Sequence, residues 1–249
     1  MQQGLLVIED LGSEGVVAGD PPAPIVERYE TAVDALLLLH GRQLPAVLPV
    51  APHVEHEIPP YDMDAFLIEV ELLLEWYLPR LGIVVTDDAR ADFFGYWRDA
   101  LAPVLDAPPN WVLRDFHSPN LLWLPERKEI ARLGVLDFQD AVMGPPAYDL
   151  ASLLNDSLFP PAALEDELVA ALHPGEQGAL DYRRAVVQRA VKAVGNYADF
   201  ARRGFDRHLK LVAPTLARAW RWFGEVPELR AVRTALRPAW EAQLDGLLD

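Results

Sequence analysis

Apolar residues recur at helical spacing over most of the chain. Between Pro24 and His40 they fall three or four residues apart, which predicts a first helix. Asp62 has the side chain of an N-cap and precedes an apolar segment that predicts a second helix to about Tyr77. Thr86 likewise precedes a third helix, Asp87–Asp106, whose aromatic face is expected in the core.

The C-terminal part of the chain mixes apolar and charged positions at roughly helical spacing. It predicts further helices over Tyr148–Ser157, Pro161–Leu172, Ala179–Arg203, Arg207–Gly224 and Pro227–Leu247. The predicted body of the protein is therefore mostly helical.

The N-terminal segment has a different pattern. Gly4–Ile8 is a continuous apolar run, which is typical of a strand buried on both faces. A glycine-containing loop follows it, and we interpret this loop as a linker because its spacing matches no standard phosphate-binding motif. Its glycines are Gly12, Gly15 and Gly19.

A proline-rich connection, Leu44–Pro60, separates the first two predicted helices, and its prolines favour an extended segment. His53 and His56 lie in it, but no third metal ligand is nearby in the sequence. A metal site is therefore not predicted there.

The central stretch, Trp111–Asp149, holds the candidate chemistry. Two short apolar runs, Asn120–Leu124 and Leu133–Leu136, flank a polar insert and predict a hairpin. Such a hairpin brings Asn120 and Asp137 to the same edge. Amide and carboxylate oxygens suit a hard cation such as Mg²⁺, which takes one or two protein ligands and fills its other positions with water and phosphate.

Asp115 lies five positions before Asn120, in a polar turn between two apolar segments. A carboxylate there can act as a general base that accepts a proton from an attacking hydroxyl. Taken singly, Asp115 and Asn120 also fit ordinary turn residues, and Asp137 fits a carboxylate that ends a strand. The combination favours a functional site, because one turn residue does not predict the others. It consists of Arg-Asp-x-His-x-x-Asn, a hairpin, Leu-Asp-Phe, Gly-Pro and Tyr-Asp-Leu.

Composition narrows the classes of partner. A length of 249 residues suits one large domain or two small ones, and a hydrophobic content of 51% is enough for a buried core. A formal charge of −16 argues against nucleic acid as a partner. The chain has no cysteine, which excludes disulfides and thiolate metal sites. With no signal peptide and no membrane-spanning apolar run in the sequence, we expect a cytoplasmic protein that does not bind membranes.

The segments LRDFHSPN, LGVLDFQDA and GPPAYDLASLL resemble the aminoglycoside phosphotransferase-like branch of the protein-kinase-like fold. Within it they look most similar to bacterial kinases that phosphorylate the anomeric hydroxyl of N-acetylmuramate and N-acetylglucosamine in cell-wall recycling. The resemblance implies an α+β fold, in which a large, mostly helical lobe carries short β-hairpins. It also implies ATP and Mg²⁺ as cofactors and a small sugar as substrate.

Carried over by position, the resemblance makes Asp115 the catalytic base that orients the acceptor hydroxyl. Asn120 and Asp137 correspond to the ligands of the Mg²⁺ ions that bridge the ATP phosphates. Asp149 corresponds to a structural residue that anchors the catalytic loop, with Arg114 as its expected partner.

Glu9-Asp10-Leu11 matches the hinge between the two lobes of the family, where the Glu9 carbonyl and the Leu11 amide would meet adenine. Leu113 stands where the family usually has His, a change that affects loop packing. The small lobe with its glycine-rich loop and strand lysine has no counterpart, so we expect residues 1–20 to be a remnant hinge strand and linker. Residues 21–249 then form the large lobe, and we expect the chain alone to be impaired.

The residues leave three alternatives open. The first is a kinase whose acceptor is an N-acetylated amino sugar, an aminoglycoside or another small alcohol. The second is a non-catalytic pseudokinase or interaction module. The third is a metal-dependent hydrolase in which Asp115, Asn120 and Asp137 bind the metal. An anionic acceptor needs basic residues in the pocket, and the candidates are Arg114, Arg183, Lys192 and Arg202. The sequence does not determine the oligomeric state.

Overall fold

The computed structural model describes residues 8–156 and 160–244. It confirms the α+β class, since helices dominate and each strand pairs in a short two-stranded sheet. The helices are α1 Val26–His40, α2 Met63–Leu72, α3 Leu78–Arg80, α4 Asp87–Leu105, α5 Ala147–Leu154, α6 Ala162–Leu172, α7 Gly175–Arg202, α8 Val212–Glu225 and α9 Arg230–Leu244. The strands are β1 Val17–Ala18, β2 Ala23–Pro24, β3 Val47–Ala51, β4 Val54–Glu57, β5 Asn110–Val112, β6 Leu121–Trp123, β7 Leu133–Val135 and β8 Val142–Gly144.

Helix α7 is the central element of the helical body, with α2, α5 and α8 packed around it. Val187, Val191 and Val194 on α7 are fully buried. Gly195 allows the closest approach, because a Cβ atom there would lie 2.6 Å from the backbone carbonyl carbon of Leu72. The core therefore joins α7 directly to the end of α2.

The two predicted N-caps are confirmed. The Asp62 side chain accepts a hydrogen bond from the Ala65 amide at 3.1 Å, and Thr86 accepts one from Ala89 at 3.2 Å. The helix that Asp62 begins changes to a π-helical turn, Leu73–Tyr77, next to the Gly195 contact. A π turn is not visible in apolar periodicity, so the sequence predicted one continuous helix.

Helix boundaries differ from the predictions at several positions. Helix α1 begins at Val26 because Pro24 lies in β2. The predicted helix Arg207–Gly224 is divided into a 3-10 segment, Asp206–Leu211, and α8. Another 3-10 turn, Pro227–Leu229, precedes α9.

The proline-rich connection is not a simple extended segment, as the sequence suggested, but the antiparallel hairpin β3–β4. His53 makes the turn with a left-handed φ of 63°. Both His53 and His56 are exposed, and the described residues contain no group of three or more His, Asp or Glu side chains arranged to hold a metal ion.

The predicted N-terminal strand lies outside the described residues except for Ile8, which is exposed and not in a strand. The glycine-containing loop packs against the body, since Gly15 pairs with Leu122 in an isolated antiparallel bridge. None of the described helices is long and apolar enough to cross a membrane.

Candidate active site

The hairpin β6–β7 pairs Leu121 with Val135 and Trp123 with Leu133. Beyond the last pair, the Leu136 amide donates to the Asn120 carbonyl oxygen at 2.9 Å. This register puts Asn120 and Asp137 at the same end of the hairpin, which is the arrangement expected from the sequence.

The loop between β5 and β6 carries Asp115 to this end. The Asn120 side-chain nitrogen donates to the Asp115 carbonyl oxygen at 3.0 Å, which ties the loop to the hairpin. This bond uses the nitrogen of the Asn120 side chain and leaves its oxygen for another partner. Asp115 is partly exposed, and Asp137 is exposed with one carboxylate oxygen bound by the side chain of Gln139.

Two residues of the site have left-handed backbones. Arg114, directly before Asp115, has φ 65°, and Asp137 has φ 58°. A side chain in this region costs energy and persists only where neighbouring contacts hold it. Both positions therefore need support from the surrounding fold.

Asp149, near the start of α5, supplies that support for Arg114. Its carboxylate is fully buried and accepts hydrogen bonds from the Leu113 amide at 2.7 Å and the Arg114 amide at 3.0 Å. The Ser152 hydroxyl donates to the Arg114 carbonyl oxygen at 3.1 Å. Burial raises the pKa of Asp149 to about 7, although the two amides and Arg189 oppose the shift.

The guanidinium of Arg114 does not contact Asp149; it lies 3.1 Å from Glu69 on α2. Glu69 is buried and also binds Lys192 at 2.6 Å. Tyr61 and Gln188 donate hydrogen bonds to its other oxygen. Burial alone would raise the pKa of Glu69, but Lys192 and these hydrogen bonds outweigh it and lower the pKa.

Sequence reasoning missed Glu69. A signal was present, because Glu69 lies three residues after Phe66 and four before Leu73, on the apolar face of its helix. A charged residue at such a position is buried only when it is paired. The pairing partner, Arg114, is 45 residues away and only the fold identifies it.

The hinge candidates lie on the same side of the molecule as the hairpin. Glu9 forms an ion pair with Arg127 of the turn between β6 and β7. Leu11 is partly buried beside Gly134, where a Cβ atom would lie 2.9 Å from the Leu11 side chain. Leu11, Leu122 and Leu124 thus form an apolar surface around Gly134, which has no side chain of its own.

The basic residues proposed for the pocket are mostly neutralised. Arg114 and Lys192 share Glu69, Arg183 pairs with Glu225 at 3.4 Å, and Arg202 pairs with Asp199 at 2.9 Å. Arg189 was not among the sequence candidates, yet its charge acts on Asp149 and Asp115 acts on it.

Residues 3–186 match the family described as the phosphotransferase enzyme family. The chain belongs to this family. The phosphotransferase chain is 37% identical over 159 residues to an N-acetylmuramate/N-acetylglucosamine kinase of Caulobacter vibrioides, which covers 62% of this chain and 42% of that protein. An N-acetylmuramate/N-acetylglucosamine kinase of Pseudomonas putida is 31% identical over 247 residues, covering 92% of this chain and 68% of the kinase.

The phosphotransferase chain therefore spans less than half the length of the first of these curated relatives. Among solved structures it is similar to a choline/ethanolamine kinase family protein from Mesorhizobium loti, with a TM-score of 0.50 and 20% identity. The likeness covers 82% of this chain and 67% of that one, and it shows a kinase-like phosphotransferase fold.

Proposed function

We propose that the protein is an ATP-dependent phosphotransferase that moves the γ-phosphoryl group to a sugar hydroxyl. The observation that carries the proposal is the convergence of Asp115, Asn120 and Asp137 at one end of β6–β7. Family membership and the kinase-named relatives support it independently.

In the proposed reaction, the Asp115 carboxylate orients the acceptor hydroxyl and takes its proton as the oxygen attacks the γ-phosphorus. The new bond joins that oxygen to phosphorus, and the bond to the bridging oxygen of ADP breaks. Phosphoryl transfer depends mainly on positioning and charge stabilisation. The buried bonds from Asp149 to the loop amides supply the positioning of Asp115.

The residues fit a divalent cation. The free side-chain oxygen of Asn120 and the carboxylate of Asp137 are hard oxygen donors, and Mg²⁺ needs only one or two of these. When bound, Mg²⁺ neutralises charge on the ATP phosphates. Kinases of this family use ATP with a divalent cation, and Mg²⁺ as the particular ion is part of the proposal.

For the acceptor we propose an N-acetylated amino sugar, either N-acetylmuramate or N-acetylglucosamine. The names of the curated relatives support this choice over an aminoglycoside or another small alcohol. We also propose that Glu9 and Leu11 border the adenine through their backbone groups, that residues 1–20 form a hinge strand and linker, and that the protein acts in the cytoplasm.

The test measures ADP release with ATP, Mg²⁺ and each sugar, using the purified full-length protein. Turnover with an amino sugar is expected, and Asp115→Asn is expected to lower kcat by roughly 10²–10⁴-fold. Asp99→Asn, at an exposed position of α4, is the control and keeps full activity. Absence of turnover with both amino sugars, or an Asp115→Asn variant as active as the control, would refute the proposal.

A further inference from the structure

Arg189 on α7 differs from the other cations near the site. Its guanidinium lies over the ring of Tyr148, 5.3 Å from the centroid. Its Nε atom is buried without a hydrogen-bond partner, and Arg189 forms no ion pair with a carboxylate in residues 8–156 or 160–244. The Arg189 side chain as a whole is partly buried, and a guanidinium that contacts a ring but is not paired has donors available for an anionic ligand.

The neighbouring cations lack this capacity. Arg114 and Lys192 both bind Glu69, at 3.1 Å and 2.6 Å. Glu69 cannot also neutralise Arg189, because its two oxygens are already bound by these cations, Tyr61 and Gln188. Glu69 therefore does not compensate the charge of Arg189, on which Asp156 and Asp115 act instead.

Arg189 packs against Tyr148, which directly precedes Asp149, the residue that holds the loop of Asp115. The groups whose charges act on Arg189 come from α5 and the residues directly after it, the segment before α2, and the loop of Asp115. They are Tyr148, Asp156, Tyr61 and Asp115. Asp115 is among them, so Arg189 lies within electrostatic reach of the proposed catalytic base.

An acidic acceptor needs such a residue on this protein. The chain has a formal charge of −16, which repels a carboxylate at long range. A guanidinium matches the geometry of a carboxylate with two parallel hydrogen bonds, which a lysine cannot do. The ring of Tyr148 lies beside the guanidinium, at a distance where a cation–π contact is favourable.

We propose that Arg189 binds the carboxylate of an acidic acceptor sugar and thereby selects it over a neutral one. The inference rests on the proposed function, because it assumes that the acceptor binds beside Asp115. It goes beyond that function by assigning substrate selection to one residue of α7.

The test compares anionic N-acetylmuramate with neutral N-acetylglucosamine. Calorimetric binding and steady-state kinetics are measured on the purified full-length protein. Arg189→Met is expected to weaken binding and raise KM for N-acetylmuramate by about 10- to 100-fold, the usual cost of losing a charged hydrogen-bonded pair. Binding and KM for N-acetylglucosamine are expected to change less than about twofold. Loss of Arg189 raises the pKa of Asp149 further, so any loss of kcat near pH 7 is expected to be equal for the two sugars.

Two further variants sharpen the comparison. Arg189→Lys keeps the charge without the planar fork, so it is expected to recover only part of the affinity for N-acetylmuramate. Arg98→Met, at an exposed position of α4, is the control and is expected to bind both sugars as the unmodified protein does. Thermal unfolding of each variant shows whether a loss reflects folding.

Equal losses of affinity for both sugars in Arg189→Met overturn the inference, as does unchanged affinity for N-acetylmuramate. A lower kcat with both sugars that persists well above pH 7, where Asp149 is ionised, would instead place Arg189 at the transferring phosphoryl group. These outcomes leave the proposed function standing, since both sugars are still phosphorylated. If neither sugar binds the unmodified protein, the proposed acceptor and the role of Arg189 fail together.

Discussion

The carboxylate of Asp149 holds the amide of Arg114 at 3.0 Å, and Arg114 has the left-handed backbone that turns the chain into Asp115. The same carboxylate holds the Leu113 amide. An amide binds an ionised carboxylate more strongly than a protonated one. Because burial raises the pKa of Asp149 to about 7, the strength of this support changes with pH near neutrality.

Activity is therefore expected to fall as the pH decreases through about 7, where Asp149 takes up a proton. Asp149→Asn is expected to have a lower kcat that does not show this transition, since its amide oxygen stays neutral. The kcat profile against pH measures both. A transition of the same shape in Asp149→Asn would show that another group titrates.

The same pKa predicts an effect on stability of opposite direction. The folded state binds the Asp149 proton more tightly than the unfolded state, whose pKa is 3.8. Between 3.8 and about 7, the contribution of Asp149 to the free energy of unfolding falls as pH rises. Urea unfolding of the unmodified protein and Asp149→Asn across this window is expected to show the difference; parallel curves would contradict it.

Glu69 is expected to contribute strongly to both stability and activity. Glu69→Gln leaves Arg114 and Lys192 without their shared carboxylate, which typically costs about 3–5 kcal/mol for a buried pair. Because Arg114 precedes Asp115, kcat is expected to fall about tenfold or more. Urea unfolding and steady-state kinetics measure the two effects.

Glu71→Gln is the matched control for Glu69. It lies on the same helix and pairs with Arg90, but the Glu71 side chain is 30% exposed. Its loss is expected to cost at most about 1 kcal/mol and to leave kcat unchanged. Similar effects of the two substitutions would refute a special role for Glu69.

Asp137→Asn tests the proposed cation site. Removing the carboxylate charge is expected to lower kcat by about 10²–10³-fold at fixed Mg²⁺ and to raise the Mg²⁺ concentration needed for half-maximal rate. Asp140→Asn, three residues later and also exposed, is expected to leave the Mg²⁺ titration unchanged. Identical titrations for both variants would exclude Asp137 as a ligand.

Gly195→Ala tests the packing of α7 on α2. The added Cβ meets backbone atoms of Leu72 and Leu73 at 2.6 and 2.7 Å, so the helices must separate. A loss of about 1–3 kcal/mol in the free energy of unfolding is expected. Gly95→Ala on α4 meets nothing within 4 Å and is expected to gain about 0.5–1 kcal/mol. A neutral Gly195→Ala would contradict the close contact.

Two partly buried histidines, His40 and His173, predict acid sensitivity. Burial lowers the pKa of His40 and of His173 to about 4, and the charge of His173 adds to the shift at His40. The unfolded state, with a pKa of 6.5, then binds more protons, so stability falls as pH decreases from 6.5 towards 4. Unfolding free energies across this range should fall less steeply in His40→Gln, whereas exposed His56→Gln should match the unmodified protein.

The parts of the fold that local sequence determines were predicted well. Asp62 and Thr86 satisfy helix amides three residues away, and the β6–β7 hairpin depends on apolar runs close in sequence. The same locality predicted that Asn120 and Asp137 share an edge. Their roles, like that of Asp115, stay predictions that the experiments above test.

Features that depend on distant contacts were missed. The Glu69–Arg114 pair joins residues 45 positions apart. The Nε atom of Arg189 is buried without a hydrogen-bond partner, which only the folded structure shows. The sequence predicts an extended connection where the β3–β4 hairpin forms, because prolines interrupt the alternating pattern of a strand. In each case the deciding interaction is absent from the local pattern of residues.

The glycine-containing loop has a mechanical consequence for the site. The Glu14 carbonyl oxygen accepts a hydrogen bond from the Trp123 amide at 2.6 Å, and Gly15 pairs with Leu122. The segment leaving Glu9 and Leu11 is thus stitched along β6, the strand that begins directly after Asn120. A displacement at the proposed adenine edge is therefore expected to reach Asn120, the proposed metal ligand, through these backbone contacts with β6.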